Sequence, residues 1–146
     1  MMPFTDEYYM KQALMEAQAA AAEGEVPVGA VIVCNDRIIA RAHNQTERLS
    51  DPTAHAEMLA ITAATSALGA KYLTDCTLYV TVEPCVMCAG AIGWSQIPVL
   101  VYGATDEKRG FRQFAPHALH PKTTVRQGVM ENECMVEMQR FFQNRR

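Results

Sequence analysis

The sequence has no uninterrupted apolar run of about 18 residues, the length that a membrane-spanning helix needs. It also has no excess of positive charge, since its formal net charge is -3. Proteins that bind nucleic acid non-specifically are usually basic overall, so such a role would require a local basic patch. The N-terminal residues include early acidic side chains and no apolar segment typical of a signal peptide. These absences predict a protein that neither spans a membrane nor is secreted.

The sequence also lacks an even number of cysteines, and it shows no sign of a domain boundary. The 5 cysteines cannot form a closed set of disulfides, which is typical of a reducing compartment, so we expect a cytoplasmic protein. Cys34, Cys76 and Cys134 have apolar neighbours and are expected to be buried free thiols. No repeat, low-complexity tract or linker interrupts the chain. Residues 1–146 are therefore predicted to form a single domain.

Helical and extended patterns alternate along the chain. Helices are predicted on an apolar face that starts at Met10 and ends near Gly24, over TAHAEMLAITAATSAL, over CVMCAGAIGW, and in a last segment capped by Asn132. Strands are predicted over VGAVIVC, RIIARAH, TLYVTV, PVLVYGA and a short TVRQGV. The alternation favours an α/β fold, with a mixed sheet covered by helices on both faces.

Three details of this pattern can be checked against a structure. Asn35 and Asp36 are expected in the turn of a hairpin between the first two strands. The stretch DEKRGFRQFAPHALHPKT is predicted to be mostly loop. The apolar side chains of the last helix are expected to face inward; they are Met135, Met138, Phe141 and Phe142.

Cys85 and Cys88 are three residues apart and directly follow Pro84, a spacing that fits the first turn of a helix. Side chains at i and i+3 share one face of a helix. The partial positive charge of a helix N-terminus favours thiolate over thiol. Two such thiolates supply half of the ligands of a tetrahedral zinc site.

His55 is a candidate third ligand, and Glu57 follows it by two residues. Side chains two residues apart on a regular helix point about 200° apart. Both can therefore reach one metal only beside the first turn of their helix, and Pro52 and Thr53 indicate a helix start there. Three protein ligands and a water molecule form the catalytic zinc pattern, whereas structural zinc sites usually have four protein ligands. Glu57 would then accept and deliver the water's proton.

Other interpretations of these residues exist. An isolated C-x-x-C pair can be a redox motif, but the upstream HAE and the EP directly before the pair argue against that here. A structural zinc site would leave Glu57 unexplained. The remaining histidines, His43, His117 and His120, are expected to be ordinary core or capping residues.

The pattern H-x-E…P-C-x-x-C is the signature of zinc-dependent nucleobase deaminases, and it occurs here as HAE and PCVMC. Cytidine, cytosine and guanine deaminases share that core. The flanking stretches EVPVGAV, DPTAHAE, LYVTVEPCVMCAGA, YGATDEKRG and ENECMVEMQRFFQNRR are similar, in order and spacing, to the bacterial tRNA-specific adenosine deaminases. The sequence is therefore identified as a member of that family.

The resemblance implies a cytidine-deaminase-like fold with three layers, α/β/α, around a five-stranded mixed sheet. It implies a homodimer with one zinc ion per subunit, hydrolysing adenosine to inosine at the wobble position of an arginine tRNA anticodon. The residues that match family positions are His55, Cys85 and Cys88 as zinc ligands, Glu57 as proton shuttle, Asn44 as a nucleoside contact, Val28 and Val82 as pocket walls, and Asp106 and Lys108 in a loop near the RNA backbone.

Two places depart from the family pattern. FRQFAPHALHP stands where small residues usually follow, and Trp94 replaces a more polar residue.

The helix over CVMCAGAIGW carries small residues that permit close packing, so it is expected near a dimer interface; they are Ala89, Gly90, Ala91 and Gly93.

Binding to the anticodon arm needs local positive charge because the chain is acidic overall. The candidate phosphate contacts are Lys108, Arg109, Arg112, Arg145 and Arg146. Phe111, Phe114 and Phe142 could stack on bases, although Phe142 also fits a core position. Two alternative functions stay open, a deaminase of a free base or nucleoside such as guanine or cytosine, and a non-catalytic domain stabilised by zinc.

Overall fold

The computed structural model describes residues 4–145, which fold around one five-stranded sheet. The strands run in the order β2-β1-β3-β4-β5 across the sheet. β1 is antiparallel to β2 and β3, whereas β3, β4 and β5 are parallel to one another. Their bounds are β1 Gly29–Cys34, β2 Arg37–His43, β3 Cys76–Val82, β4 Val99–Ala104 and β5 Thr124–Gln127. The predicted mixed sheet is thus confirmed.

Helices cover both faces of this sheet. Their bounds are α1 Asp6–Ala22, α2 Ala56–Leu68, α3 Val86–Trp94, α4 Phe111–Phe114 and α5 Glu131–Gln143. One buried cluster joins Ala60 of α2 and Ile92 of α3 to the sheet. A second cluster joins Ala13 of α1 and Cys134 of α5 to its other face. The three-layer α/β/α fold is therefore confirmed, and no helix within residues 4–145 is both long and apolar enough to cross a bilayer.

Local sequence signals define several element ends. The Thr5 hydroxyl accepts a hydrogen bond from the backbone N–H of Tyr8 at 3.2 Å and caps α1. Gly24 follows this helix with φ of 81°, a left-handed conformation that glycine adopts readily. Asn35 and Asp36 have φ of 52° and 63°, as a two-residue type I′ hairpin requires. The predicted end of α1 and the predicted hairpin are confirmed.

The predictions for the last helix were partly wrong. α5 begins at Glu131, directly after Met130 with φ of 55°, so Asn132 lies inside the helix instead of capping it. Met135 and Phe142 are 40% and 51% exposed, and the buried α5 side chain is Cys134. Met138 and Phe141 are half-buried, as expected for side chains that face inward. α5 packs against the sheet through one narrow stripe, which leaves Met135, Val136 and Phe142 at the surface.

Three smaller differences concern other segments. The second helix begins at Ala56 and not at Thr53, because the backbone of His55 is extended. The stretch predicted to be mostly loop contains the single-turn helix α4. Cys76 and Cys134 are buried free thiols as predicted, whereas Cys34 is only half-buried.

His43 ends β2 and joins it to α1 through two carboxylates. Its Nδ1 lies 2.9 Å from Glu16 Oε1, and its Nε2 lies 3.1 Å from Glu23 Oε1. Arg41 faces Glu16 at 3.6 Å and Arg48 faces Glu23 at 3.8 Å. Burial disfavours the charged imidazole, but the two carboxylates outweigh it and raise the pKa of His43 above its ordinary value.

This cluster predicts a pH-dependent contribution to stability. Because the pKa of His43 is higher in the folded state than in the unfolded state, its protonation stabilises the fold. This contribution is complete below the unfolded-state pKa of about 6.5 and is lost as pH rises through the folded-state pKa. His43→Gln should therefore lower the free energy of unfolding by about 1 kcal/mol at pH 6 and by less at pH 8.5. Urea unfolding of both proteins at the two pH values measures this, and a difference independent of pH would contradict it.

Candidate active site

Two helix N-termini meet at one end of the sheet. His55 occupies the N-cap position of α2, and Cys85 occupies the N-cap position of α3. Cys88 lies in the first turn of α3 and is fully buried. The structure thus brings together the three side chains that the sequence analysis assigned to a metal, on helix ends that favour thiolates.

The distances between these side chains fit zinc. Nδ1 of His55 lies 3.7 Å from Sγ of Cys85 and 3.6 Å from Sγ of Cys88. The three donor atoms all lie within 4.8 Å of one another. Tetrahedral zinc with bonds of about 2.3 Å to sulfur and 2.0–2.1 Å to nitrogen places those donors about 3.6 Å apart. One histidine and two cysteines are also a donor set that zinc prefers.

Electrostatics in the cluster favour one thiolate even without a metal. A hydrogen bond from the Cys88 thiol, assisted by His55, lowers the pKa of Cys85 to about 4. The same hydrogen bond and burial raise the pKa of Cys88. The hydrogen bond to Cys85 raises the pKa of His55. Bound zinc would hold both sulfurs as thiolates, because a coordinating thiol is deprotonated.

Glu57 is the second residue of α2, two residues after His55, and is 3% exposed. Burial raises the pKa of its carboxyl to about 7. A carboxyl with a pKa near the working pH both takes up and releases a proton readily. This environment suits a general acid and base.

A cavity of about 330 Å³ opens over the cluster, at the small end of the range for ligand pockets. His55, Glu57 and Cys85 are among its lining residues. A cavity of about 500 Å³ lies elsewhere, between α1 and α5, but its lining contains neither cysteine nor histidine. The smaller cavity is therefore the candidate active site.

Most of the predicted substrate-binding residues line this cavity. They are Asn44, Val28, Val82 and Asp106, and Arg109 joins them. Lys108 is exposed and does not line the cavity; its backbone N–H donates to Asp106 Oδ1 at 3.0 Å. These residues come from four separate segments, so the match of Asn44 and the two valines to family positions corresponds to a real spatial grouping.

The other predicted RNA contacts have different surroundings. Arg112 donates from Nη1 to Gln127 Oε1 at 2.7 Å, so its guanidinium already has a partner within the chain. Arg145 donates to the carbonyl of Gly24 at 2.7 Å and lines the cavity between α1 and α5. Arg146 lies outside the described residues.

The aromatic side chains proposed for base stacking also differ from one another. Phe111 is 2% exposed and belongs to the core, so its predicted stacking on bases was wrong. Phe114 is 64% exposed but does not line the cavity. Phe142 is 51% exposed and lines it.

Several lining residues were missed in the sequence analysis. They are Val26, Thr46, Ala56, Glu83 and Met138. Val26, Ala56, Glu83 and Met138 lie within stretches that resemble the family, and Thr46 follows Asn44 by two residues. The buried Glu83, next to the zinc signature, was the one with a usable sequence signal.

The chain matches the model of the cytidine and deoxycytidylate deaminase zinc-binding region over residues 3–104. That match contains the histidine, both cysteines and Glu57. The chain belongs to this deaminase family. It is a hydrolytic deaminase with a zinc-binding site, as the sequence predicted.

Proteins similar in sequence to this chain include tRNA adenosine deaminases. The tRNA-specific adenosine deaminase of Bacillus subtilis is 46% identical, over 97% of this chain and 91% of that protein. The chloroplastic tRNA(adenine(34)) deaminase of Arabidopsis thaliana is 46% identical over 96% of this chain, although the chain spans only 12% of that protein. The predicted resemblance to tRNA-specific adenosine deaminases is confirmed.

Solved structures share the fold. A structure from a study of A-to-I editing by tRNA:A34 deaminases at the wobble position of transfer RNA has a TM-score of 0.83 and 43% identity, covering 88% of this chain and 97% of that one. A guanine deaminase of Bacillus subtilis has a TM-score of 0.67 and 42% identity, covering 70% of this chain and 66% of that one. The fold and the zinc signature alone therefore do not distinguish a deaminase of tRNA adenosine from a deaminase of guanine.

Proposed function

We propose that this protein deaminates adenosine to inosine at the wobble position of a tRNA anticodon. The observation that carries the proposal is a buried acid, Glu57, beside a zinc-type cluster in a cavity whose rim includes the exposed aromatic ring of Phe142. Relatives with the same reaction in their names match almost the whole chain. A guanine deaminase of Bacillus subtilis has 42% identity but covers only 70% of this chain, and one of Nitrosomonas europaea covers 97% of this chain at only 24% identity.

His55, Cys85 and Cys88 would hold the zinc ion. When bound, zinc supplies Lewis-acid activation of a water molecule and brings that water's pKa close to neutrality. Glu57 accepts a proton from the attacking water and delivers it to N1 of adenine, which makes C6 more electrophilic. Glu57 then takes the second proton of that water from the oxygen now attached to C6 and passes it to the exocyclic amino group, which leaves C6 as ammonia. The net reaction consumes one water and replaces the amino group by a carbonyl oxygen.

The cavity walls would hold the base for this chemistry. Val28 and Val82 offer apolar surface to the faces of a purine ring, and the buried Asn44 offers an amide for hydrogen bonding. A base must leave its stack to enter such a cavity. Bases in an anticodon loop are partly unstacked already, which reduces that cost.

Arg109 is the lining residue best placed to attract RNA. It is exposed and projects from the loop between β4 and α4, with the exposed Lys108 beside it. Arg112 and Arg145 contribute less in this proposal because each already has a partner within the chain. Because the protein is acidic overall, its affinity for RNA then depends on a few positively charged side chains near the cavity.

Arg109→Ala should weaken binding of an anticodon stem-loop and make it less sensitive to salt. Losing one phosphate contact reduces the slope of log affinity against log salt by about one. Arg37→Ala is the matched control, since Arg37 is exposed at the hairpin end of β2 and does not line the cavity. Fluorescence anisotropy across salt concentrations gives both slopes. Equal slopes for the two variants would contradict the assignment.

We also propose a homodimer that uses the outer face of α3. Gly93 is small for a local reason, since an added Cβ would lie 2.3 Å from the Ala118 carbonyl oxygen. At Gly90 an added Cβ would meet nothing within 4 Å. Val86 and Trp94 lie one turn to either side of it and are 41% and 84% exposed. A second copy would cover this apolar stripe.

Trp94→Glu should shift the protein from dimer towards monomer, because it places a charge in a surface that a partner would desolvate. Light scattering across a dilution series measures the mass of each protein. A parent protein that is monomeric at every concentration would contradict the dimer.

The proposal includes the cytoplasm as the place of action, supported by the free cysteines. The function itself is tested with two stem-loops that carry adenosine either at the wobble position or one nucleotide away. Inosine should form in the first and not in the second. Equal conversion of both would contradict wobble specificity.

A further inference from the structure

A second buried glutamate lies beside the zinc-type cluster. Glu83 follows the last residue of β3 and precedes Cys85 by two positions. The residue is 5% exposed and its side chain only 2%. The deamination steps described above do not use it. A buried carboxylate is costly unless it is hydrogen-bonded or paired, so its contacts indicate its role.

The Glu83 carboxylate holds both ends of the loop between β4 and α4. Oε1 accepts the backbone N–H of Asp106 at 3.1 Å. Oε2 accepts the backbone N–H of Arg112 at 3.2 Å and faces its Nε at 3.4 Å. One side chain thus fixes the start of the loop that carries Arg109 and the helix α4 that follows it.

Backbone contacts continue this attachment. The N–H of Glu83 donates to the Ala104 carbonyl at 2.8 Å, and the N–H of Phe111 donates to the Pro84 carbonyl at 2.9 Å. Cys85 and Gly110 form an isolated β-bridge. An added Cβ at Gly110 would lie 2.3 Å from Cδ of Glu83, so the loop packs directly on this carboxylate.

Arg112 extends the contact to the edge of the sheet. Its guanidinium donates to Gln127 of β5, which also accepts the hydroxyl of Tyr102 at 2.7 Å. Arg112 belongs to the stretch FRQF, which departs from the family pattern. In this chain that departure places a cation beside the buried carboxylate at the base of the loop.

We propose that Glu83 is a positioning residue for deamination. It fixes the cavity wall formed by Asp106 and Arg109 relative to Cys85, so that a base inserted against this wall stays in line with the metal site and Glu57. It acts through the loop and not by proton transfer. The kinetic part of this proposal rests on the proposed function, whereas the structural part does not.

Another buried glutamate, Glu25, offers a matched comparison. Glu25 is 1% exposed and accepts the backbone N–H groups of Glu47 and Arg48 at 3.1 and 2.7 Å. It therefore holds the segment after Asn44 in the way that Glu83 holds the loop after β4. Each glutamate should control its own segment and leave the other unchanged.

Glu83→Gln is the central variant because glutamine keeps the length but presents an NH₂ group to one of the two N–H donors. Amide hydrogen exchange at Asp106 and Arg112 should become roughly 10-fold faster or more. Exchange at residues 47 and 48 should stay as in the parent. Glu25→Gln should give the reverse pattern. Glu107→Gln, an exposed carboxylate in the same loop, should change neither.

Kinetics separate positioning from general stability. Turnover on the wobble stem-loop, counted per zinc-loaded molecule, should fall about 10- to 100-fold in Glu83→Gln, since a displacement of about 1 Å can have that effect. Arg112→Gln should have a smaller effect on turnover than Glu83→Gln, because the backbone N–H contacts remain. A role in stability alone would lower the melting temperature and leave turnover per zinc-loaded molecule unchanged.

The positioning role of Glu83 can be tested even if the protein does not act on tRNA. Should the parent protein deaminate guanine or another free base instead, the same turnover ratio is measured on that base, and the exchange experiment needs no substrate. Faster exchange at Asp106 and Arg112 together with lower turnover supports the proposal. Unchanged exchange at both amides, or unchanged turnover per zinc-loaded molecule, would overturn it.

Discussion

Replacing Glu57 by glutamine is expected to reduce deamination by about 10²–10⁴-fold or more. Glutamine has nearly the same shape but cannot take up the water's proton or deliver it to the base. The side chain is buried and is not one of the three clustered donors, so the fold and the zinc content should be retained. Single-turnover assays with zinc measured in the same sample test both parts.

Glu131→Gln is the control for this variant, because Glu131 is an exposed carboxylate at the start of α5 and does not line the cavity. It should retain the parent's activity within about two-fold. Near-parental activity of the Glu57 variant would show that another group moves the protons.

Replacing Cys88 by alanine should remove both the metal and the activity. Cys88 is fully buried and its sulfur lies 3.6 Å from the His55 nitrogen, so two ligands would be left where three stood. The loss of Lewis-acid activation is worth several kcal/mol, which corresponds to more than about 10³-fold in rate. Zinc bound to the folded state also stabilises it, so the melting temperature should fall.

Cys34→Ala distinguishes ligand loss from thiol loss. Cys34 is a half-buried free cysteine at the end of β1, away from the three clustered donors. This variant should keep about one zinc per chain by elemental analysis. Stoichiometric zinc in the Cys88 variant, with activity intact, would contradict the proposed ligand set.

Much of the fold could be predicted because its signals are local. The apolar runs of the strands, the Asn35–Asp36 turn and the end of α1 near Gly24 each depend on a few neighbouring residues. The spacing of Cys85 and Cys88 predicted a shared helix face, and the two-residue spacing of His55 and Glu57 predicted a helix start. The structure has both arrangements.

The features that were missed depend on contacts between distant segments. Sequence alone could not show that Phe111 joins the core or that Arg112 meets Gln127, because those partners come from other helices and strands. Likewise, the direction of Phe142 depends on where α5 crosses the cavity and not on the helical period. The sequence places Glu83 directly before the zinc signature, but only the structure shows that its carboxylate accepts the backbone N–H of Asp106.

The most direct test of the central claim compares substrates in one assay. Ammonia release is measured from an anticodon stem-loop with adenosine at the wobble position, and from free adenosine, guanine and cytidine at equal concentration. The account predicts rapid release from the stem-loop, with inosine at the wobble position and little release from the free compounds. Release from guanine or cytidine with an unreacted stem-loop would contradict it and assign the site to a small substrate.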